Sequence, residues 1–144
     1  DRDSTDGKVQ NFDPIQPQNF RHQGNMNLVS WSNIHDVSLE FALKLLPGVV
    51  LRSEGHAFWL DKRKDGWFAQ GRVLQRRDPT GRADSFLGTE LDLALEWTLF
   101  DDHLFVRAAY SHFWSGSYVR DTARGTGGRS SDMDFAFLEL QLSF

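Results

Sequence analysis

Five histidines and scattered acidic residues are the side chains of this sequence that could do chemistry. None of the histidines stands in an H-E-x-x-H pair, and the chain has neither a G-x-S-x-G elbow nor any cysteine. The histidines are His22, His35, His56, His103 and His112. We therefore expect no enzyme, no catalytic residue, no metal centre and no cofactor.

His56 and the aspartates of the predicted extracellular loops are the remaining candidates for a site. His56 lies between Glu54 and Phe58 on the polar side of a predicted strand, and we interpret it as a hydrogen-bonded wall residue. The loop aspartates offer the oxygen ligands that Ca²⁺ prefers, but we interpret them as solvated acids. These aspartates are Asp13, Asp61, Asp65, Asp78 and Asp84.

The elements that position these side chains are predicted to be strands, because apolar and polar residues alternate with a period of 2. The predicted strands are 36–46, 49–60, 86–100, 104–115 and 132–144. One face of these strands is apolar, with Leu39, Phe41, Leu43, Leu91, Leu93, Leu95, Trp97, Leu138, Leu140 and Leu142. The opposite face carries Glu40, Lys44, Arg52, Glu54, His56, Glu90, Asp92, Glu96, Arg107 and Glu139.

The connections between the strands favour a membrane barrel over a soluble sheet with one wet face. Residues 47–48 and 101–102 form tight turns, whereas residues 61–83 and 117–131 are long and polar. Outer-membrane barrels have short turns at one rim and long loops at the other. The predicted strands have 11 to 15 residues, and roughly 9 to 11 residues suffice for a tilted strand to cross a bilayer. A soluble β-sandwich binding module stays a weaker alternative.

Composition is compatible with such a barrel and argues against nucleic-acid binding. Mean hydropathy is −0.48, and no apolar run approaches the roughly 18 residues of a membrane helix, because alternation keeps every window polar. The chain has 5 Trp and 12 Phe, several of them near predicted strand ends, where barrels carry aromatic girdles. A net charge of −4 offers no basic surface for nucleic acid.

The last strand predicts the orientation of the others. A strand that ends on Phe144 resembles the closing strand of outer-membrane barrels, which the assembly machinery reads as a signal. If Phe144 lies at the periplasmic rim, residues 61–83 and 117–131 are extracellular. Residues 1–34 then form an extracellular loop segment, with one helical turn expected near residues 26–31, and residues 35–144 supply the strands.

Several segments, in their order and spacing, carry a resemblance to the alginate export family of outer-membrane channels. The match covers most of the chain, and no single segment is specific. The segments are 12–14 with Pro17, 31–34 with Asp36, 56–60 with Asp65 and Trp67, 87–93, 110–114 with Gly116, and 134–144. The resemblance implies the C-terminal part of a barrel of about eighteen strands, located in the bacterial outer membrane.

The expected fold is therefore all-β, an antiparallel transmembrane barrel segment of about five long strands. Five strands cannot close a barrel, so further strands from upstream sequence or another chain are expected, as are the lipid bilayer and the assembly machinery as partners. The expected function is a channel that passes polysaccharide or small hydrophilic solutes. The alternative is a scaffold barrel that binds other envelope proteins and carries no solute of its own.

One feature of the polar face departs from a channel for a polyanionic polymer, which should line its lumen with Arg and Lys. The predicted lumenal face has seven acids, including Asp36, against Lys44, Arg52 and Arg107. We therefore expect cations or neutral sugars to pass more readily than polyanions. Ion pairs that brace the wall are an equally good account of each single charge.

Overall fold

Five long strands form one antiparallel sheet in the computed structural model, which describes residues 22–126 and 131–144. The long strands pair in the order β1-β2-β5-β6-β7, and a short hairpin of β3 and β4 is inserted between β2 and β5. The strands are β1 Ile34–Leu46, β2 Val49–Leu60, β3 Gly66–Ala69, β4 Val73–Arg77, β5 Phe86–Leu99, β6 Leu104–Ser115 and β7 Met133–Leu142. The all-β antiparallel fold class is confirmed, and the long strands end within two residues of their predicted bounds.

Tight turns join the long strands at one end of the sheet. Gly48 connects β1 to β2 with φ +76°, and a Cβ there would lie 2.7 Å from the carbonyl oxygen of Thr98, so the position requires glycine. The turn between β5 and β6 places Phe100, Asp101 and Asp102 at positive φ, and His103 N donates to the carbonyl of Phe100 at 3.1 Å. Turns this short are possible because the strands that they join are antiparallel neighbours.

A bulge at the start of β5 changes the face on which its first residues lie. The alternation of the sequence places Leu87 beside Leu91 on the apolar face, and this prediction is wrong. The register shifts between Phe58 and Trp59 of β2, opposite Gly88, which has φ +148°. The one extra residue moves the residues of β5 that precede the bulge to the opposite face of the sheet. Leu87 is consequently fully buried against the polar face of the sheet.

Apolar residues gather in a cap that covers the end of the sheet opposite the tight turns. The cap consists of residues 61–85 and 116–126 and includes a helix, α1, at Ser117–Thr126. The cap shares one apolar core with the adjacent strand ends and with the segment before β1, and this core is Val29, Phe58, Leu60, Trp67, Ala83, Leu87, Phe113, Tyr118 and Val119. The cap therefore packs onto the polar side of the sheet. At this end of β2 and β6, that side carries the aromatic rings of Phe58 and Phe113 in place of the charged side chains found further along the strands.

Three predictions about the connections are wrong. Residues 61–83 are not one loop, because they contain the β3–β4 hairpin. Residues 117–131 contain α1 instead of loop alone. Residues 26–31 form no helical turn, and we call residues 22–33 the inner segment because they pack against the polar face of the sheet. Residues 1–21 of the predicted extracellular loop lie outside the described residues.

The apolar face of the sheet is uncovered, whereas the polar face is covered where the inner segment and the cap pack against the middle strands. Leu39 and Phe41 of β1 are 62% and 64% exposed, but Glu90 and Asp92 of β5 are 1% and 3% exposed. This arrangement is the inverse of a soluble sheet, which buries its apolar face. Among the described residues, no helix is long and apolar enough to cross a membrane.

The sheet is open. Within the described residues β1 pairs only with β2, and β7 pairs only with β6, so each has one unpaired edge. Unpaired backbone N–H and C=O groups are costly in lipid, where no water can bind them. Closing the barrel therefore requires other strands.

Candidate functional site

The ten charged or histidine side chains that were predicted to share a face are brought together by the antiparallel register. Glu54 lies between Glu40 of β1 and Asp92 of β5, and Arg107 of β6 lies between Glu96 and Glu139. Cross-strand neighbours in such a sheet have Cβ atoms about 4.5 to 5.5 Å apart. The polar face is therefore a continuous charged surface across the five strands.

A network of ion pairs centres on Arg52. Its Nε donates to Oε2 of Glu96 at 2.9 Å, and its Nη1 donates to Oε1 of Glu40 at 3.0 Å. Arg107 lies 3.9 Å from the other oxygen of Glu96, and its guanidinium lies 5.5 Å from the ring centre of Phe137. These two bases of the polar face are thus neutralised by neighbouring acids.

A second cluster of charges, closer to the cap, surrounds His56. Nδ1 of His56 lies 3.1 Å from Asp36, and Nε2 lies 3.0 Å from Oε1 of Glu54. The imidazole also stacks on Phe58, with ring centres 5.4 Å apart and planes within 9°. His56 is therefore held between two carboxylates, and the ring of Phe58 fixes the plane of its imidazole.

The inner segment binds the acids of this cluster through its backbone. Asn25 N donates to Oδ2 of Asp92 at 3.1 Å, and Met26 N donates to Oε1 of Glu90 at 2.9 Å. The amide of Asn25 also donates to Oγ of Ser111 at 3.4 Å. Sequence reasoning missed this contact, because the segment lacks alternation and its partners lie more than sixty residues away.

A cavity of about 520 Å³ lies over the polar face between the inner segment and the ion pairs. It is open to solvent on one side and is lined mainly by charged side chains. The lining residues are Asn25, Glu40, Arg52, Glu54, Asp92, Ala94, Glu96, Arg107 and Glu139. Seven of the ten predicted pore-lining residues therefore border one aqueous space, the clearest candidate for a solute path in the described residues.

The opposite face carries the residues predicted to contact lipid. Leu39, Phe41 and Leu43 of β1, Leu93, Leu95 and Trp97 of β5, and Leu138, Leu140 and Leu142 of β7 are all exposed, and Leu91 is half-buried. Phe144 lies beyond the end of β7 and has a fully exposed ring. The predicted strand end at Phe144 is two residues too long, since β7 ends at Leu142.

A polar group on the apolar face was not foreseen. Asp134 accepts from the hydroxyl of Tyr110 at 2.5 Å and pairs with Nδ1 of His112 at 2.7 Å. His112 also contacts the edge of Trp114, with ring centres 4.3 Å apart. Tyr and Trp that join polar partners near a strand end are typical of a membrane interface.

The cap carries ionisable groups outside the long strands. Asp78 accepts backbone N–H bonds from Ala83 at 2.8 Å and Thr80 at 2.9 Å, and these bonds lower the pKa of its carboxyl to about 2. Burial raises the pKa of Tyr118 in α1 to about 12. Asp78 is therefore an ionised loop cap, and Tyr118 is a neutral core residue.

Comparison with known families agrees with these features. Residues 1–133 match the model of the family described as alginate export. No curated protein matches the chain significantly. The uncovered apolar face, the polar face and the open edges are what a segment of a transport barrel in the outer membrane requires. The chain belongs to the alginate export family of outer-membrane β-barrel transport proteins.

Proposed function

We propose that this chain forms part of the wall of an outer-membrane channel that passes polysaccharide or small hydrophilic solutes. The observation that carries the proposal is the opposite exposure of the two faces of β5. Leu93 on the apolar face is 39% exposed, whereas its neighbour Asp92 is 3% exposed and borders the charged cavity. A closed barrel with this polarity has lipid outside and water inside.

In this proposal the polar face is the lumen and the apolar face contacts lipid. The pore-lining residues are Glu40, Lys44, Arg52, Glu54, His56, Glu90, Asp92, Glu96, Arg107 and Glu139. The lipid-facing residues are Leu39, Phe41, Leu43, Leu91, Leu93, Leu95, Trp97, Leu138, Leu140 and Leu142. The chain itself carries out no chemical reaction, because its task is to enclose a path for solutes.

The charges of this part of the wall favour cations and neutral sugars over polyanions. Arg52 and Arg107 pair with Glu40 and Glu96, so two positive charges are cancelled by two negative ones and the other acids of the face stay in surplus. The carboxylates around His56 outnumber its single imidazole. A surplus of fixed negative charge attracts cations into a pore and repels polymers that carry carboxylates.

The orientation follows from the two ends of the sheet. We place the tight turns and Phe144 at the periplasmic rim and the cap at the extracellular rim, because long connections are typical of the outer rim. Phe144 then serves as an assembly signal for the insertion machinery. Other envelope proteins are proposed as additional partners, and nucleic acid is not.

The test is the reversal potential of the complete barrel in a planar bilayer with asymmetric KCl. We expect the barrel to conduct ions. We also expect a reversal potential whose sign shows that cations pass more readily than anions. A strongly anion-selective potential would contradict the proposed selectivity and favour polyanionic substrates. A barrel that inserts without any conductance would contradict the channel and favour a scaffold.

A further inference from the structure

Four carboxylates surround one imidazole on the polar face, and most of the group is shielded from water. His56, Glu90 and Asp92 are 3%, 1% and 3% exposed, and Asp36 and Glu54 contact the imidazole from both sides. Buried carboxylates repel one another and need a compensating positive charge. Arg52 is already bound to Glu40 and Glu96.

The hydrogen bond of His56 to Asp36 decides which nitrogen can accept a ligand. Nδ1 lies 3.1 Å from both oxygens of Asp36, and in the tautomer that carries its proton on Nδ1 this nitrogen donates to that carboxylate. In the neutral ring Nε2 then presents a lone pair, which faces Oε1 of Glu54 at 3.0 Å. Two lone pairs at this distance repel each other unless a positive charge lies between them.

A third donor points into the same space. One nitrogen of His56 and one carboxylate oxygen each from Glu54 and Asp92 all lie within 4.8 Å of one another. Oδ1 of Asp92 is buried and has no hydrogen-bond partner among the described residues, although Oδ2 is bound by the inner segment. An unsatisfied buried carboxylate oxygen is costly, and a cation would satisfy it.

We propose that Glu54, His56 and Asp92 bind a divalent cation of the Zn²⁺ type. One imidazole and two carboxylates form a donor set that Zn²⁺ binds, with a further position open for water. Tetrahedral Zn²⁺ holds its donor atoms roughly 3.3 Å apart, so small side-chain rotations close the present gaps. Asp36 is the positioning residue, because a carboxylate on the second nitrogen orients a metal-binding histidine.

The proposed cation site is accessible from the cavity, and a bound ion would act on the inner segment. Glu54 and Asp92 border the cavity of about 520 Å³, so an ion can enter from the lumenal side without opening the sheet. The bond from Asn25 N to Asp92 links the ion to the inner segment. A bound cation would therefore neutralise the wall and hold the inner segment against it.

The experiment titrates the complete, chelator-treated barrel in detergent with ZnCl₂ by isothermal calorimetry, and with CoCl₂ by visible absorption. We expect the wild type to bind one more ion than His56→Gln or Asp92→Asn. We also expect the Co²⁺-loaded wild type to have the absorption spectrum of a tetrahedral site. Asp36→Asn should bind about 10 to 100 times more weakly, as other losses of an outer-shell partner do.

His112→Gln is the matched control, because it removes another histidine–carboxylate pair, with Asp134, from the opposite face of the same sheet. It should bind Zn²⁺ like the wild type. A heat-modifiable gel shift verifies that each variant is folded. Two results would overturn the proposal: equal Zn²⁺ binding by folded wild type and His56→Gln, or no binding by the wild type. A proton shared between His56 and Glu54 would then account for their short contact. Tighter binding of Ca²⁺ than Zn²⁺ would also overturn the proposal.

Discussion

The backbone N–H of Asn25 donates to Oδ2 of Asp92 at 3.1 Å across 67 residues of sequence. This bond and its neighbour from Met26 to Glu90 anchor the inner segment on the third long strand of the sheet. The segment therefore narrows the space over the polar face instead of standing away from it. A small shift of this segment would change the width of the cavity that Asn25 borders.

Gly24→Ala should loosen the inner segment. Gly24 has φ +83°, and an added Cβ would overlap the carboxylate of Glu90. Gly71→Ala is the control, because Gly71 has φ +71° and no atom within 4 Å of an added Cβ. Both variants have backbone strain of roughly 1 to 2 kcal/mol, but only Gly24→Ala loses the contact. We expect faster proteolysis of residues 22–33 in Gly24→Ala alone, and equal rates would contradict the anchoring.

The two faces of β5 are tested by placing the same charge on adjacent residues. Leu93→Arg on the apolar face should lower the free energy of unfolding by about 2 to 4 kcal/mol near the bilayer midplane. Ala94→Arg places the guanidinium in the charged cavity beside Glu96 and should cost much less. Equilibrium unfolding in lipid vesicles measures both. The reverse order would mean that the faces are exchanged by one residue.

The Arg52–Glu96 pair predicts two opposite changes in ion selectivity. Glu96→Gln removes the acid that binds both Arg52 and Arg107 and should shift the reversal potential toward anions. Arg52→Gln leaves Glu40 and Glu96 without this base and should shift it toward cations. Single-channel recordings in asymmetric KCl measure both shifts. Two variants that shift in the same direction, or not at all, would show that these charges brace the wall without facing the solute.

The Asp78 loop predicts a local loss of order in acid. The pKa of Asp78 is lowered to about 2 in the folded cap, below its ordinary value near 3.8. The stabilisation is therefore present above about pH 4 and is lost as the pH falls toward 2. Amide hydrogen exchange of Thr80 and Ala83, which donate to Asp78, should accelerate over this range once the intrinsic pH dependence is removed. In Asp78→Asn the residual pH dependence should vanish, and its persistence would assign the effect to another group.

Phe144 is expected to matter more for insertion than for stability. Its ring is uncovered in the five-strand sheet and lies two residues beyond β7. If the ring enters the periplasmic interface, its burial contributes about 1.5 to 3 kcal/mol. Phe144→Ala should reduce the folded fraction on a heat-modifiable gel, and Phe144→Tyr should restore it. Equal folded fractions in all three proteins would contradict a role of Phe144 in insertion.

The sequence by itself determined the long strands and most of their faces. Alternation of period 2 suffices for this, because successive strand side chains point to opposite sides whatever the rest of the molecule does. Glu90, Asp92 and Leu93 accordingly lie on the sides that alternation predicts. The family is also recognisable from the order and spacing of short segments along the chain, and residues 1–133 match its model.

Only the tertiary structure decided where alternation is interrupted and what covers the polar face. The bulge at Gly88 places Leu87 in the cap core, and it arises in the pairing of β5 with β2, which the residues next to Leu87 in the sequence do not determine. Likewise, Asp36, Glu54, His56 and Asp92 meet only when β1, β2 and β5 pair in register. Contacts between distant segments depend on packing, and no local period encodes them.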